Sequence, residues 1–463
     1  MLFNSIEFVG FFCIVFIVYW LLSFTKKLTA QNIFLLLSSY IFYAAWDYRF
    51  LGLILFSSLV DYICGLRMNR LEDGRKKYLI LSICVNLGLL GFFKYFNFFI
   101  GEFSHLLELI GLNPGYSILN IVLPVGISFY TFQSMSYTID VYRKKIGVEP
   151  NILNFLLYVS FFPQLVAGPI ERAANLLPQI KNHRKFDLNN IFDGCWLIFF
   201  GYFLKIFMAD NLAFVVEESF NSEVSNTLVV LGGVYAFAMQ IFGDFAGYTF
   251  IAIGVAKLMG FELMTNFLYP YFVTNPSEFW RNWHISLSTW LKDYLYIPLG
   301  GNRLGKLFTL RNLMITMLLG GLWHGAAWNF VLWGFYHGLL LVIYRQYKSH
   351  FDKIPKVLSI IIMFHFVCFG WLIFRVENMD QLYVMVASLG NLDLSAVHTV
   401  GLRKVAFFAT LPMLINFFQF KTDSENYINT FYRPIRILLY VLMYFLLFGF
   451  GEFGVKEFIY FQF

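Results

Sequence analysis

Long apolar segments follow one another along almost the whole chain. They lie near residues 5–24, 31–46, 49–63, 78–93, 118–140, 190–208, 228–258, 312–345, 357–374, 403–419 and 434–451. A helix that crosses a bilayer needs about 20 apolar residues. Charged residues make up only 13% of the sequence, about half of the share in a soluble domain. Lipid is the solvent that accommodates so much apolar surface, so the sequence predicts an integral membrane protein.

Several of these runs are too short or too long for one straight crossing. We therefore predict an all-α, polytopic fold of about ten to twelve transmembrane helices with re-entrant segments. No soluble domain or low-complexity linker interrupts the chain, so residues 1–463 are predicted to form a single membrane-embedded domain. The first run lacks a basic stretch before it and a small-residue cleavage site after it, which indicates a retained helix.

Basic residues cluster between the early runs. Lys26, Lys27 and the segments 67–77 and 143–145 fall on one side if the crossings alternate, and the positive-inside rule makes that side cytoplasmic. These loops explain the net charge of +6, so we expect no nucleic-acid partner. The five cysteines are scattered through apolar runs without paired ligand spacing, so we predict neither a disulfide framework nor a metal site.

Three segments break the apolar pattern in ways that ordinary spanning helices do not. Residues 123–133 contain a Pro-Val-Gly sequence and end at Gln133, residues 161–172 contain two prolines and a glycine, and residues 275–303 are rich in polar groups. Irregular backbone at membrane depth is tolerated only where it is buried in protein or lines a wet cavity. We therefore expect these segments to lie near a functional site.

The segment 275–303 combines aromatic and ionisable side chains. One predicted helical face carries Trp280, Trp283, Leu287, Trp290 and Tyr294. His284 and Ser288 lie one turn apart beside this face, and Lys292 and Asp293 follow. An interfacial helix is one interpretation, because Trp and Tyr favour the headgroup boundary. That interpretation leaves the histidine and the charges unexplained, so a functional role is the alternative.

The segment 320–338 places two histidines within a long apolar run. His324 should lie away from both membrane interfaces, where ionisable groups are costly and mark functional sites. A neutral imidazole can take a proton from a hydroxyl. The alternative is a histidine that only bonds a neighbouring helix, and it is stronger for His337. Since His337 lies about 140° around an unbroken helix from His324, a metal shared by the two is not expected.

A carboxylate also lies inside an apolar run. Asp244 follows Gln240 and precedes Tyr248 in a segment that is otherwise apolar. It could orient a catalytic group or line a tunnel, or it could form an internal pair with one of the lysines or arginines. The sequence does not separate these alternatives.

Together these segments resemble the membrane-bound O-acyltransferase family, in particular its bacterial branch typified by alginate O-acetylation. The resemblance extends from the first helix to about residue 375, and it is carried by residues 123–133, 163–172, 278–303 and 321–338. It implies a central tunnel through the protein. His324 matches the family's intramembrane catalytic base, and His284 matches a second motif position near the cytoplasmic mouth of the tunnel.

The resemblance also implies substrates and partners. An acyl thioester, with acetyl-CoA preferred over an acyl-carrier protein and no bound cofactor, would approach from the cytoplasm of a bacterium. The acyl group would pass across the plasma membrane to a cell-surface polysaccharide, directly or through an extracytoplasmic accessory acetyltransferase. We predict that the catalytic residues are His324 and His284, and that substrate-binding or tunnel residues are Trp283, Ser288, Asp293, Tyr294, Trp323, Asn329, His337, Asp244 and Gln133.

One position departs from the family pattern. Members of this branch commonly carry an acid where this chain has Phe250, so any role of that acid is in doubt here. Two further functions stay open. The same fold could move a D-alanyl unit from a carrier protein towards teichoic acid, or the chain could be a proton-coupled transporter without transferase activity.

Overall fold

We analysed a computed structural model of the chain. It describes residues 1–71, 73–112, 119, 121–166, 168–222, 226–424, 427–454 and 456–461. Regular structure in these residues is helical throughout, without a strand. The predicted all-α, polytopic fold is confirmed.

Twenty α-helices follow one another in the described residues. The first ten are α1 Ile6–Phe24, α2 Leu28–Asp47, α3 Leu51–Arg70, α4 Arg75–Leu90, α5 Phe96–Leu109, α6 Ile127–Tyr142, α7 Ile152–Ser160, α8 Phe162–Leu165, α9 Ala173–Lys181 and α10 Leu188–Tyr202. The others are α11 Asp210–Phe220, α12 Thr227–Leu258, α13 Pro276–Asn282, α14 Ile285–Leu291, α15 Lys306–His324, α16 Trp328–Phe351, α17 Lys356–Arg375, α18 Met379–Ser388, α19 Val400–Thr422 and α20 Arg433–Phe450.

Short turns of other helical types join or extend these helices. The 3₁₀ turns are Tyr48–Phe50, Tyr427–Thr430 and Ile459–Phe461. The π-helical turns are Gly91–Tyr95, Phe203–Ala209 and Lys292–Tyr296. Such π turns often occur at functional sites.

Eight helical stretches in the described residues are long and apolar enough to cross a membrane. They are Ile6–Phe24, Leu28–Arg70, Arg75–Leu109, Leu188–Phe220, Thr227–Leu258, Lys356–Arg375, Val400–Thr422 and Arg433–Phe450. The stretch Leu28–Arg70 has 43 residues and would extend about 65 Å if straight, about twice the hydrocarbon thickness. The 3₁₀ turn after Asp47 divides it, so it supplies two helices of the predicted ten to twelve.

Helix α12 is the centre of the fold and packs against α10, α11, α17 and α19. Paired glycines allow α10 and α12 to approach closely. A Cβ on Gly201 would stand 2.6 Å from the carbonyl oxygen of Gly247, and one on Gly194 would stand 2.8 Å from that of Gly254. Small residues at helix contacts are typical of membrane proteins, where close packing replaces the hydrophobic effect between helices.

A buried polar network joins α3, α4 and α6. The Asp61 carboxylate accepts hydrogen bonds from Ser82 Oγ at 2.6 Å, from Asn86 Nδ2 at 2.9 Å and from Ser134 Oγ. All of these side chains are buried. The network satisfies an intramembrane carboxylate with neutral donors, and sequence analysis did not single it out.

Two predicted helices are broken in the structure. The segment 279–297 does not form one helix with a single aromatic face, because α13 ends at Asn282 and α14 begins at Ile285. The run 312–345 is likewise divided into α15 and α16, which lie side by side. Trp283, Leu287 and Trp290 are buried inside the protein, so the interfacial-helix interpretation of this segment is wrong.

Candidate active site

The break before α14 fixes the backbone at His284. This residue has φ of 44°, in the left-handed region, where few residues other than glycine, Asn, Asp and His are found. Asn266 accepts the hydrogen bonds of residues 285 and 286 at the start of α14. Its carbonyl oxygen accepts from Ile285 N at 2.9 Å, and its Oδ1 accepts from Ser286 Oγ at 2.9 Å. The loop that carries Asn266 therefore replaces helical hydrogen-bond acceptors at this point. The side chain of His284 turns inward, where it is 0% exposed.

The break after α15 places His324 at the end of a helix. Gly325 continues in an extended conformation, and its missing side chain makes room for the ring of Phe330. The closeness of α15 and α16 depends on Gly321 and Gly334, since a Cβ on either would overlap the backbone of the other helix. His324 thus occupies a helix terminus within the protein interior.

The two breaks bring the histidines together. The ring centroids of His284 and His324 are 6.4 Å apart. The resemblance placed His284 near a tunnel mouth, whereas the structure places it beside His324 in one pocket. We call this pair and its aromatic neighbours the histidine pocket.

Aromatic rings enclose the histidine pocket. Phe245 lies 4.6 Å from His284, Trp333 lies 4.9 Å from His324, and Trp323 lies within 5.6 Å of both histidine rings. These side chains are buried. The pocket therefore excludes bulk water, which strengthens electrostatic interactions inside it.

Several ring nitrogens of this pocket lack hydrogen-bond partners in the part of the chain that the structure describes. Both ring nitrogens of His284 and Nδ1 of His324 are fully buried and have no hydrogen-bond partner among the described residues. The indole nitrogens of Trp323 and Trp333 are in the same condition. Buried polar groups are normally hydrogen-bonded, so a polar molecule bound here would satisfy groups that the protein does not.

The C-terminal segment completes the pocket. Tyr460 lies 5.5 Å from the ring of His324, 6.4 Å from that of His284 and 4.6 Å from that of Phe245. The preceding residue, Ile459, donates its backbone N–H to Asp244 Oδ2 at 2.6 Å. Sequence analysis missed this segment, because its aromatic composition is ordinary for this chain.

Two cavities reach the consecutive residues Trp323 and His324. A cavity of about 80 Å³ ends at His324 and is mostly apolar, with Leu287, Ser288 and Trp333 in its wall. A second cavity of about 130 Å³ is bounded by Trp323, Tyr460 and Lys94. One cavity therefore reaches His324, and the other reaches its neighbours Trp323 and Tyr460.

His337 lies in an adjoining aromatic cluster. Its ring is 4.8 Å from Trp333 and 5.2 Å from Trp280. Both of its nitrogens are buried without a partner among the described residues. The break after α15 brings His337 and His324 against the same indole, Trp333, which an unbroken helix would not do. Trp283 belongs to this cluster too, with its ring 4.8 Å from Trp371.

Three predicted site residues bond backbone carbonyls. Ser288 Oγ donates to Trp283 O at 3.1 Å, Asn329 Nδ2 donates to Val376 O at 3.0 Å, and Gln133 Nε2 donates to Tyr158 O at 2.6 Å. Ser288 also lies in the wall of the smaller cavity. The structure therefore gives Asn329 and Gln133 contacts that hold helices together.

Asp293 and Tyr294 lie in a separate charged cluster. Tyr294 donates its hydroxyl to Asp140 Oδ2 at 2.6 Å, and the Arg172 guanidinium lies 4.6 Å from the Tyr294 ring. Asp293 uses its backbone oxygen to accept from Arg143 at 3.1 Å. Neither residue is among those that enclose the histidines.

Asp244 forms the internal ion pair that the sequence left open. Lys205 Nζ lies 2.7 Å from Asp244 Oδ1 and 2.8 Å from Asp210 Oδ1, and all three side chains are buried. These charges border a polar cavity of about 220 Å³. Phe250, in place of the family's usual acid, packs 5.7 Å from Phe200.

No group of three or more His, Cys, Asp or Glu side chains within the described ranges is arranged to hold a metal ion. The buried polar groups without a partner among the described residues of this pocket include the histidine and indole nitrogens. A histidine with a free ring nitrogen at a cavity can take a proton from a hydroxyl and return it to a leaving group.

Comparison with known proteins identifies the family. Residues 142–379 match the model of the membrane-bound O-acyltransferase family. The probable alginate O-acetylase of Azotobacter vinelandii is 41% identical over 384 residues, which cover 81% of this chain and 76% of that protein. That of Pseudomonas aeruginosa is 40% identical over 411 residues, 87% of this chain and 78% of that protein.

A relative with another named acceptor is also similar. The peptidoglycan O-acetyltransferase of Helicobacter pylori is 34% identical over 435 residues, which cover 86% of this chain and 81% of that protein. Fold and matches together define a multi-pass membrane enzyme that transfers acyl groups to hydroxyls. The chain belongs to the membrane-bound O-acyltransferase family. This membership decides against a transporter without transferase activity.

Proposed function

We propose that this chain transfers an acetyl group from a cytoplasmic acetyl-CoA thioester towards hydroxyls of an extracytoplasmic polysaccharide, with His324 as the general base. The observation that carries the proposal is the position of His324, which lines one cavity and follows Trp323 in the wall of another, and whose buried Nδ1 has no partner among the described residues. The acetyl group is favoured because the compared relatives are named as O-acetylating proteins.

The reaction needs one proton to move twice. The acceptor hydroxyl gives its proton to His324 as its oxygen attacks the thioester carbonyl carbon. The C–S bond then breaks, an ester forms, and the proton passes from the imidazolium to the thiolate. General base catalysis of this kind contributes about 10²- to 10⁴-fold. His284 lies close enough to share in binding the reacting groups, since its ring centroid is 6.4 Å from that of His324.

The two cavities suit reactants that arrive from opposite sides. The cavity at Ser288 and Leu291 lies next to the π-helical turn that begins at Lys292, which we assign to the cytoplasmic side with the basic loops. The cavity at Trp323 and Tyr460 would then receive the acceptor from outside. We propose the bacterial plasma membrane as the location of the enzyme, because that membrane separates a cytoplasmic donor from an outside acceptor. The outside acceptor is a polysaccharide hydroxyl or an accessory acetyltransferase that passes the group on.

The experiment compares O-acetyl content of purified surface polysaccharide in cells with wild type, His324→Ala or His324→Gln at matched membrane levels. Both substitutions should abolish acetylation. His350→Ala, in a histidine at the exposed end of α16, is the matched control and should leave it unchanged. Acetylation that survives in both His324 variants would refute the base assignment.

The donor is tested separately with purified protein in liposomes. Acetyl-CoA should release free thiol and acetylate added polysaccharide. A charged D-alanyl carrier protein should not support transfer. Transfer from the carrier protein but not from acetyl-CoA would favour D-alanyl transfer instead.

A further inference from the structure

The end of helix α15 is held by two neighbouring residues from another part of the chain. Lys94 Nζ donates to Trp323 O and to His324 O, both at 2.8 Å. Tyr95 donates its hydroxyl to Leu322 O at 2.6 Å. Three consecutive carbonyls at this helix terminus therefore receive hydrogen bonds from side chains.

These carbonyls need partners from outside the helix. The last four carbonyls of an α-helix have no donor within the helix, and α15 is followed by extended backbone at Gly325. Water satisfies such groups at a protein surface. Inside a membrane protein an unsatisfied carbonyl is costly, so side-chain donors stabilise this helix end.

Two adjacent side chains of the π-helical turn Gly91–Tyr95 reach one target. Neighbouring residues of an ordinary α-helix point about 100° apart. Lys94 and Tyr95 occupy the last two positions of the π turn, and both reach the end of α15. The Lys94 ammonium also complements the negative end of the helix dipole.

We propose that Lys94 and Tyr95 are positioning residues, which fix the end of α15 so that the His324 imidazole faces its cavity. This inference rests on the proposed role of His324. Lys94 bonds the backbone oxygen of His324 itself, so a shift of this contact displaces the imidazole directly. Displacement of a catalytic group by about 1 Å can cost about 100-fold in rate.

The first measurement is hydrogen exchange of purified protein over residues 318–330. Lys94→Met keeps the length of the side chain and removes its donors, so amides near the end of α15 should exchange at least tenfold faster. Lys353→Met, in an exposed loop, is the matched control and should change nothing there. Unchanged exchange in Lys94→Met would overturn the inference, whatever the role of His324.

The second measurement is the steady-state rate of acetyl transfer from acetyl-CoA by protein in liposomes. Lys94→Met should lower kcat about 100-fold with little change in KM for acetyl-CoA. Lys94→Arg, which keeps a cationic donor, should recover much of this loss, and Tyr95→Phe should lower kcat less than Lys94→Met. A merely destabilising substitution would lower the amount of folded enzyme and leave kcat per folded molecule intact.

The outcomes separate this inference from the proposed function. If His324→Ala is inactive and Lys94→Met transfers acetyl at the wild-type rate, the positioning role is wrong and the base assignment stands. If His324→Ala is fully active, the base assignment fails. The exchange result then still decides whether Lys94 holds the end of α15.

Discussion

A methyl group on Gly370 would stand 2.6 Å from Nε2 of His337. The imidazole has no room to retreat, because the ring of Phe279 stacks on it at 5.8 Å and that of Trp333 lies 4.8 Å away. His337 can occupy this position only because residue 370 is a glycine. Since His337 packs against Trp333, Gly370 also affects the wall of the histidine pocket.

Gly370→Ala should therefore destabilise the protein by about 1–3 kcal/mol through overpacking. Thermal unfolding of purified protein in detergent checks this, and O-acetyl content should fall as well. Gly449→Ala, in a helix where nothing lies within 4 Å of the added Cβ, is the control. Equal unfolding temperatures for the two variants would contradict the packing argument.

Substitutions at His284 should distinguish the effect of its backbone conformation on stability from the effect of its side chain. The left-handed φ of 44° suits Asn, whereas a β-branched residue is strained there. His284→Asn should unfold near the wild-type temperature, and His284→Val should lose about 1–3 kcal/mol. As a control, His350→Asn and His350→Val, within α16, should not differ in stability in this way. A His284→Val protein as stable as His284→Asn would remove the backbone argument.

The protein should be stable only when the three buried charges around Lys205 are all kept or all removed. Lys205→Met leaves Asp210 and Asp244 without their cation, and breaking a buried pair in this way costs about 3–5 kcal/mol. We expect little folded protein by size-exclusion chromatography. Adding Asp210→Asn and Asp244→Asn to Lys205→Met should restore much of the yield. A well-folded single variant would mean that the carboxylates find other compensation.

Tyr460→Ala should open the histidine pocket to the larger cavity. The ring lies 5.5 Å from His324 and forms part of that cavity's wall. We expect polysaccharide acetylation to fall at least about 10-fold, because the reacting groups lose the surface that aligns them. Tyr432→Ala, at a position 75% exposed, should retain activity at the same membrane level. Full acetylation by Tyr460→Ala would show that the segment is not part of the site.

The fold class was predictable because lipid imposes a simple length rule on apolar runs. His284 and His324 could also be singled out, since ionisable residues are rare among such runs. Their proximity could not be predicted. It depends on the break at His284, where Ile285 and Ser286 donate hydrogen bonds to Asn266, in the loop between α12 and α13.

The sequence also did not predict which residues pair with the buried charges. The sequence offers many lysines and arginines, and only the packing of α10, its π turn and α12 selects Lys205 for Asp244. Lys94 looks like an ordinary residue at the end of an apolar run. Its importance follows from the carbonyls of α15, which become orphans only because that helix ends inside the protein.

The histidine pocket is assembled from residues that leave the ribosome at very different times. His284 and His324 are synthesised long before Ile459 and Tyr460, which close the pocket and bond Asp244. A nascent chain that has inserted every earlier helix still has an open pocket. The wall that Tyr460 adds therefore forms only after the helices that carry both histidines have been synthesised.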